Sequence, residues 1–104
     1  MRKYGRVDAN QPQIIKDLRA AYGPDCAVDL SMVGGGVPDQ LLGIQGHTIL
    51  CEIKTDKGKL TPHQSHFHKF WNGGSIITAR CMEDVVAELR RLNATTFIPV
   101  RSRV

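Results

Sequence analysis

The sequence predicts an α/β fold in which a mixed β-sheet is flanked by helices, in the order α-β-β-β-α-β-α. Three observations support this prediction. Three segments carry apolar residues at helical spacing, four short β-prone segments lie between them, and Gly, Pro or Asn marks the junctions. Helices that alternate with strands are typical of layered α/β domains. With 104 residues the chain has room for one modest core, so residues 1–104 are predicted to form a single domain.

The first helix is predicted from about Pro12 to Tyr22, after a basic arm at residues 1–7. Proline suits the first turn of a helix, because its missing N–H has no intrahelical partner there. Ile14 and Leu18 lie at helical spacing and form an apolar stripe. Gly23-Pro24 then ends the helix.

The three central strands are predicted at Cys26–Met32, Leu41–Ile44 and Thr48–Lys54. A tight turn at Gln45-Gly46-His47 would fold the second and third strands into a hairpin. Because successive strand side chains point to opposite faces, residues 52 and 54 share a face while residue 53 turns into the core.

The second helix is predicted from a capping box. Thr61 is the cap, Pro62 takes the first helical position, and Gln64 can reach back to the cap amide. This helix is expected to run to about Trp71 and to bury its aromatic side chains, which are Phe67, Phe70 and Trp71.

The remaining elements are a strand at Ser75–Ala79 and a helix at Met82–Leu92. An acidic pair, Glu83-Asp84, occupies the favoured first turn of that helix. The tail, residues 94–104, is predicted to add at most an edge strand, since Pro99 argues against a central one.

Composition restricts the function classes. No apolar run approaches the roughly 20 residues of a membrane-spanning helix, and no signal-peptide core follows the basic N-terminus, so a cytoplasmic location is expected and no membrane partner. The net charge of +4 and the pI of about 9.2 fit a polyanionic partner. The three cysteines show no metal-binding spacing and are predicted to be buried free thiols: Cys26, Cys51 and Cys81.

Two carboxylates and a lysine are placed at the ends of the hairpin strands. Asp39 begins one strand, and Glu52 and Lys54 lie near the end of the next. In a favourable register Asp39 lies beside Glu52, which makes a pocket for Mg²⁺ or Mn²⁺, because such cations prefer carboxylate oxygens. The alternative is structural: Asp39 starts a turn, and Glu52 and Lys54 form an ion pair on the strand face.

These residues also resemble a known family. Gly36-Val37-Pro38-Asp39 followed by Glu52-Ile53-Lys54 is similar to the signature of PD-(D/E)XK nucleases. The segment Lys57–Gln64 (KGKLTPHQ) resembles the VRR-NUC branch, including small stand-alone phage and bacterial members. The resemblance covers roughly residues 6–90 and implies a restriction-endonuclease-like core.

The resemblance implies a role for each matching residue. The implied catalytic residues are Asp39, Glu52, Lys54 and Gln64. The implied metal ligands are Asp39, Glu52, the main-chain carbonyl of Ile53, and Gln11, which stands where relatives often carry glutamate. Gln64 remains open between capping the helix and orienting water and phosphate in the site.

The implied contacts to nucleic acid come from Arg6, Gly35, Gly36, Lys57, Lys59 and His63. The glycines at 34–36 either form a simple turn or let the backbone approach a phosphate. The expected activity is endonucleolytic hydrolysis of branched DNA, such as a Holliday junction, by a homodimer. The alternatives are an inactive nucleic-acid-binding module, an RNA nuclease, and a protein that binds an acidic partner without metal.

Overall fold

The computed structural model of the chain describes residues 11–95 and has the predicted order of elements. The elements are α1 (Gln11–Tyr22), β1 (Ala27–Asp29), β2 (Gln40–Ile44), β3 (His47–Ile53), α2 (Pro62–Phe70), β4 (Ser75–Ala79) and α3 (Met82–Thr95). The α/β fold with helices flanking a mixed sheet is thereby confirmed. The predictions for the arm at residues 1–7 and for the tail beyond residue 95 lie outside the described residues.

The four strands form one sheet in the order β1-β2-β3-β4. The first two pairings are antiparallel, and β3 pairs with β4 in parallel. A parallel pair needs a crossover connection, and α2 supplies it. As a result, the ends of β3 and β4 lie at the same edge of the sheet, with Ile53 opposite Ala79.

The hairpin between β2 and β3 closes through a two-residue turn. Gln45 and Gly46 both have positive φ angles, 54° and 83°, and Ile44 pairs with His47. Two consecutive positive φ values are typical of a type I′ turn, whose twist matches that of the flanking strands. The turn fixes the register that pairs Gln40 with Cys51 at the far end of the hairpin.

One face of the sheet carries the hydrophobic core. The first and last helices, α1 and α3, both pack on this face and contact each other. The fully buried side chains that they share with the strands include Leu18, Leu42, Ile49, Ile53 and Val85. Since Cys51 and Ile53 belong to this core, Leu50 and Glu52 point to the opposite face.

The second helix lies over that opposite face but buries none of its own nine residues. The prediction that its aromatic side chains are buried is therefore wrong, since Phe70 is 62% exposed and Trp71 41% exposed. The aromatic end of the helix does not close on the sheet, because a cavity of about 270 Å³ lies between Trp71, Leu41 and Leu50. This face consequently remains partly open in the described part of the chain.

Strand β1 is shorter than predicted. It ends at Asp29, whose Oδ1 accepts a hydrogen bond from the backbone N–H of Ser31 and so turns the chain. A further correction concerns the thiols, because Cys26 and Cys51 are buried whereas Cys81 is exposed. Cys81 directly precedes α3, where the chain lies at the surface. The last helix continues to Thr95, past the predicted end at residue 92.

Between residues 11 and 95 no helix is both long enough and apolar enough to cross a bilayer.

Candidate active site

Asp39 and Glu52 are brought together by the hairpin. The register ends with Gln40 opposite Cys51; Asp39 directly precedes β2 and Glu52 follows Cys51 on β3, so continuing the register brings Asp39 opposite Glu52. Directly opposed residues of an antiparallel pair have Cβ atoms about 5 Å apart. The alternation along both strands places the two carboxyl groups on the face that α2 partly covers.

The electrostatic environment of Cys51 supports this proximity. Burial, and to a smaller extent the negative charges of Glu52, Asp39 and Asp84, raise the pKa of the Cys51 thiol to about 12. Both hairpin carboxylates therefore act on one buried sulfur atom. The thiol itself remains neutral at physiological pH and takes no part as a nucleophile.

Glu52 is a buried acid with two polar neighbours on one of its oxygens. The residue is 1% exposed. Its Oε2 accepts a hydrogen bond of 3.1 Å from Gln64 Nε2 and lies 4.0 Å from Lys54 Nζ. Burying a carboxylate is costly unless polar groups surround it, so this position is unfavourable for stability alone.

The Gln64 side chain completes the predicted capping box and also contacts Glu52. Its Oε1 accepts from the backbone N–H of Thr61, and its backbone N–H donates to Thr61 Oγ1, which completes the capping box. Its Nε2 simultaneously donates to Glu52. One amide thus joins the start of α2 to the buried carboxylate.

The start of α2 is held in place by the glycine turn. Gly34 O accepts from Val37 N–H, with Gly35 and Gly36 at φ values of 68° and 84° between them. A Cβ atom on Gly36 would lie only 2.3 Å from His63 O. The close approach made by Gly36 is therefore to the backbone of α2. Gly35 lies in the same turn, with open space around its Cα.

Arg80 was missed by the sequence analysis. Its guanidinium Nη1 donates to the backbone oxygens of Thr55 and Gly58, the latter at 2.7 Å. Gly58 in turn packs against the Lys54 side chain and closes a turn with Thr55. Arg80 directly follows β4, at the edge of the sheet where β3 also ends. In the sequence, the only indication of its role is an arginine placed directly after the predicted strand.

Gln11 lies at the start of α1 and is 4% exposed. Its Oε1 accepts a hydrogen bond of 3.1 Å from Gln40 Nε2, and Gln40 is the residue after Asp39. The first helix therefore does reach the chain beside the two carboxylates. The amide oxygen proposed as a ligand is engaged by a second glutamine.

The remaining predicted residues differ in their exposure. Lys57 and Lys59 are exposed in the loop between β3 and α2, and His63 is exposed on the first turn of α2. The Ile53 side chain is fully buried in the core. The ligand role implied for this residue concerns its main-chain carbonyl. Arg6 lies outside the described residues.

The oxygen donors at this site suit Mg²⁺ or Mn²⁺. Among residues 11–95, no three His, Cys, Asp or Glu side chains are grouped so that they could hold a metal ion. Mg²⁺ is commonly held by one or two carboxylates, with water and substrate phosphate as its other ligands. Asp39 and Glu52, with the carbonyl of Ile53 between Glu52 and Lys54, meet that smaller requirement.

The thiols provide a test of the pocket that does not depend on any activity. At pH 8 we expect Cys81 to react with iodoacetamide while Cys51 stays unmodified until the protein unfolds. The folded pKa of Cys51, about 12, exceeds the unfolded value of about 9. The unfolded chain therefore loses this proton first as the pH rises, so stability falls above pH 9, by about 1 kcal/mol between pH 8 and pH 10.

Peptide mass spectrometry and urea unfolding at the two pH values measure both effects. A Cys51→Ala variant is the control and should lose this share of the pH dependence. Equal labelling of Cys51 and Cys81 in the folded protein would contradict the buried position of Cys51 beneath the carboxylates.

Comparison of the chain with known family models, curated proteins and solved structures found no significant match.

Proposed function

We propose that this protein is a Mg²⁺- or Mn²⁺-dependent DNA endonuclease that hydrolyses phosphodiester bonds in branched DNA. The observation that carries the proposal is the meeting of Asp39, buried Glu52 and Lys54 at one end of a hairpin, with Gln64 bonded to Glu52. The resemblance of the same residues to PD-(D/E)XK and VRR-NUC nucleases agrees with it.

Each residue has a role that follows from its chemistry. Asp39 and Glu52 supply oxygen ligands, and a divalent cation held there adds Lewis acidity toward water and phosphate. Gln64 holds the Glu52 carboxylate and presents an amide to the pocket. Lys54 places an ammonium beside the charge that develops on the phosphate, or orients the attacking water.

The preference for branched DNA rests on size and charge. A domain of this length has little surface for reading bases, which favours recognition of shape over sequence. The exposed lysines of the β3–α2 loop, Lys57 and Lys59, suit contacts to phosphates beside the pocket. A homodimer would place two pockets for paired cuts in the two strands of a junction.

A cleavage assay tests the proposal. The wild-type protein is incubated with a four-way junction, a linear duplex, a supercoiled plasmid and a matched RNA duplex, in Mg²⁺, Mn²⁺ or EDTA. We expect metal-dependent cutting, fastest on the junction, and its loss in Asp39→Ala. Asp17→Ala is the matched control, because Asp17 lies on α1 and accepts a hydrogen bond from Gln13 in the same helix.

One observation favours a second candidate, a nucleic-acid-binding module without catalysis. Gln11 stands where relatives often carry glutamate, and its oxygen is bonded to Gln40. Such a module would bind the junction with equal affinity in EDTA and would cut no substrate. Preferential cutting of the RNA duplex would instead make the protein an RNA nuclease.

A further inference from the structure

The chain contains a long span without acidic residues, and only part of this span belongs to the candidate active site. All ten Asp and Glu residues lie outside residues 57–82. The same span contains four lysine or arginine residues, three before β4 and one after it, and three histidines. Helix α2 occupies the middle of the span, so it presents only neutral or basic groups to solvent.

One side of α2 carries an exposed ring system. His63, His66 and Phe70 follow the i, i+3, i+7 spacing that places side chains on one side of a helix. The rings of His66 and Phe70 are 4.7 Å apart between centroids, tilted by 46°. Lys69 Nζ lies 5.4 Å from the centroid of the Phe70 ring. We call His63, His66, Lys69 and Phe70 the α2 stripe.

Phe70 is more exposed than Trp71, its neighbour at the end of α2. It is 62% exposed. Trp71 is stacked on Phe67 at 5.4 Å and 17°, and a methyl group at Gly73 would lie 2.5 Å from Trp71 Cζ2. The indole is therefore packed against Phe67 and close to Gly73, and its Nε1 donates to Gly74 O.

The α2 stripe lies on the same helix as Gln64 but on its solvent side, whereas Gln64 points to Glu52 on the sheet side. It begins at His63, next to Gln64, which donates to Glu52. Phe70 lies six residues beyond Gln64, about 9 Å further along the helix axis. A strand that crosses the solvent side of α2 would meet the positive charge of Lys69 and the exposed ring of Phe70 together.

We propose that the α2 stripe binds unpaired nucleotides of the DNA substrate, with a base stacked on Phe70 and phosphates beside Lys69 and the histidines. Because residues 57–82 contain no acidic side chain, this surface favours a polyanionic ligand. An exposed aromatic ring suits bases that are not already stacked in a duplex. That the bound DNA is the substrate of cleavage rests on the proposed function. The binding chemistry does not.

Binding without cleavage tests the proposal. Fluorescently labelled single-stranded and blunt duplex DNA of equal length are titrated in EDTA with wild type, Phe70→Ala and Phe70→Trp. Loss of one stacked base should weaken single-strand binding by about 5- to 100-fold in Phe70→Ala and leave duplex binding within about twofold. Phe70→Trp should retain single-strand affinity. Met32→Ala is the matched control, because Met32 is 71% exposed in the β1–β2 loop.

Several outcomes would overturn the proposal. An equal loss of affinity for both DNAs in Phe70→Ala, or no loss for either DNA, would exclude the stacking role of Phe70. A lower molar mass of Phe70→Ala in light scattering, with unchanged single-strand affinity, would assign the surface to a second copy of the chain. Single-strand binding through Phe70 in a protein that cuts no DNA would support the α2 stripe while the proposed nuclease failed.

Discussion

Replacement of Glu52 by glutamine is expected to abolish metal-dependent cleavage while leaving the fold in place. The substitution keeps the shape of the side chain and its contact with Gln64, but removes the negative charge that a cation requires. We expect cleavage to fall by about 10³-fold, as when a strong electrostatic contribution to a transition state is removed.

Stability should respond differently. Glu52 is 1% exposed, so removing its charge relieves a desolvation cost, while the Lys54 ion pair that is lost is long, at 4.0 Å. These effects oppose each other, and we expect the free energy of unfolding to change by less than about 1 kcal/mol. Single-turnover cleavage and urea unfolding of the same preparation measure the two quantities.

The matched control is Glu88→Gln on α3. Glu88 also accepts hydrogen bonds, from Ser75 Oγ and the Arg91 guanidinium, and these contacts hold its pKa below the usual value. The Glu88→Gln variant should therefore be less stable than the wild type at pH values above that lowered pKa, where wild-type Glu88 is charged. It should retain cleavage. A large loss of stability in Glu52→Gln, without loss of cleavage, would make Glu52 and Lys54 a structural ion pair.

Substitution of Gly36 by alanine is expected to have the largest effect on stability. Gly36 has φ of 84°, which is strained for any residue with a Cβ atom, and that atom would lie 2.3 Å from His63 O. The strain costs about 1–2 kcal/mol, and the displaced backbone adds about 1–3 kcal/mol. Cleavage should fall as well, because α2 must move and Gln64 moves with it.

Gly34→Ala separates the two causes. Its φ is 77°, but nothing lies within 4 Å of an added Cβ atom, so only the backbone strain applies. Chemical denaturation of the two variants should therefore differ by the cost of the contact with His63. Equal destabilisation would show that Gly36 does not pack closely against α2.

The hairpin and its register were predictable because several local signals agree there. Gln45-Gly46 can adopt the two positive φ angles of a tight turn, and the period-two pattern on either side allows one pairing that buries Leu42 and Ile49. Since the register follows from the turn, the placement of Asp39 opposite Glu52 follows too. The capping box at Thr61 was predictable for the same local reason.

The features that were not predicted depend on contacts distant in sequence. An aromatic stripe such as Phe67, Phe70 and Trp71 has the same pattern whether a core or solvent covers it, so its exposure could not be predicted from periodicity. Arg80 acquires its role only because β4 returns beside β3 and brings the Thr55–Gly58 turn within reach. The hydrogen bond between Gln11 and Gln40 likewise joins residues 29 positions apart.

The way in which α2 is attached separates the stability of the site from the stability of the fold. None of its nine residues is buried, and its contacts to the sheet include a backbone approach at Gly36 and one amide hydrogen bond to Glu52. Elements with few buried apolar contacts open locally at a much smaller free energy than the whole domain. On warming, amide exchange should therefore become rapid in α2 while the α1–α3 core stays protected. The protein would then become inactive by local unfolding at a temperature where its sheet is still intact.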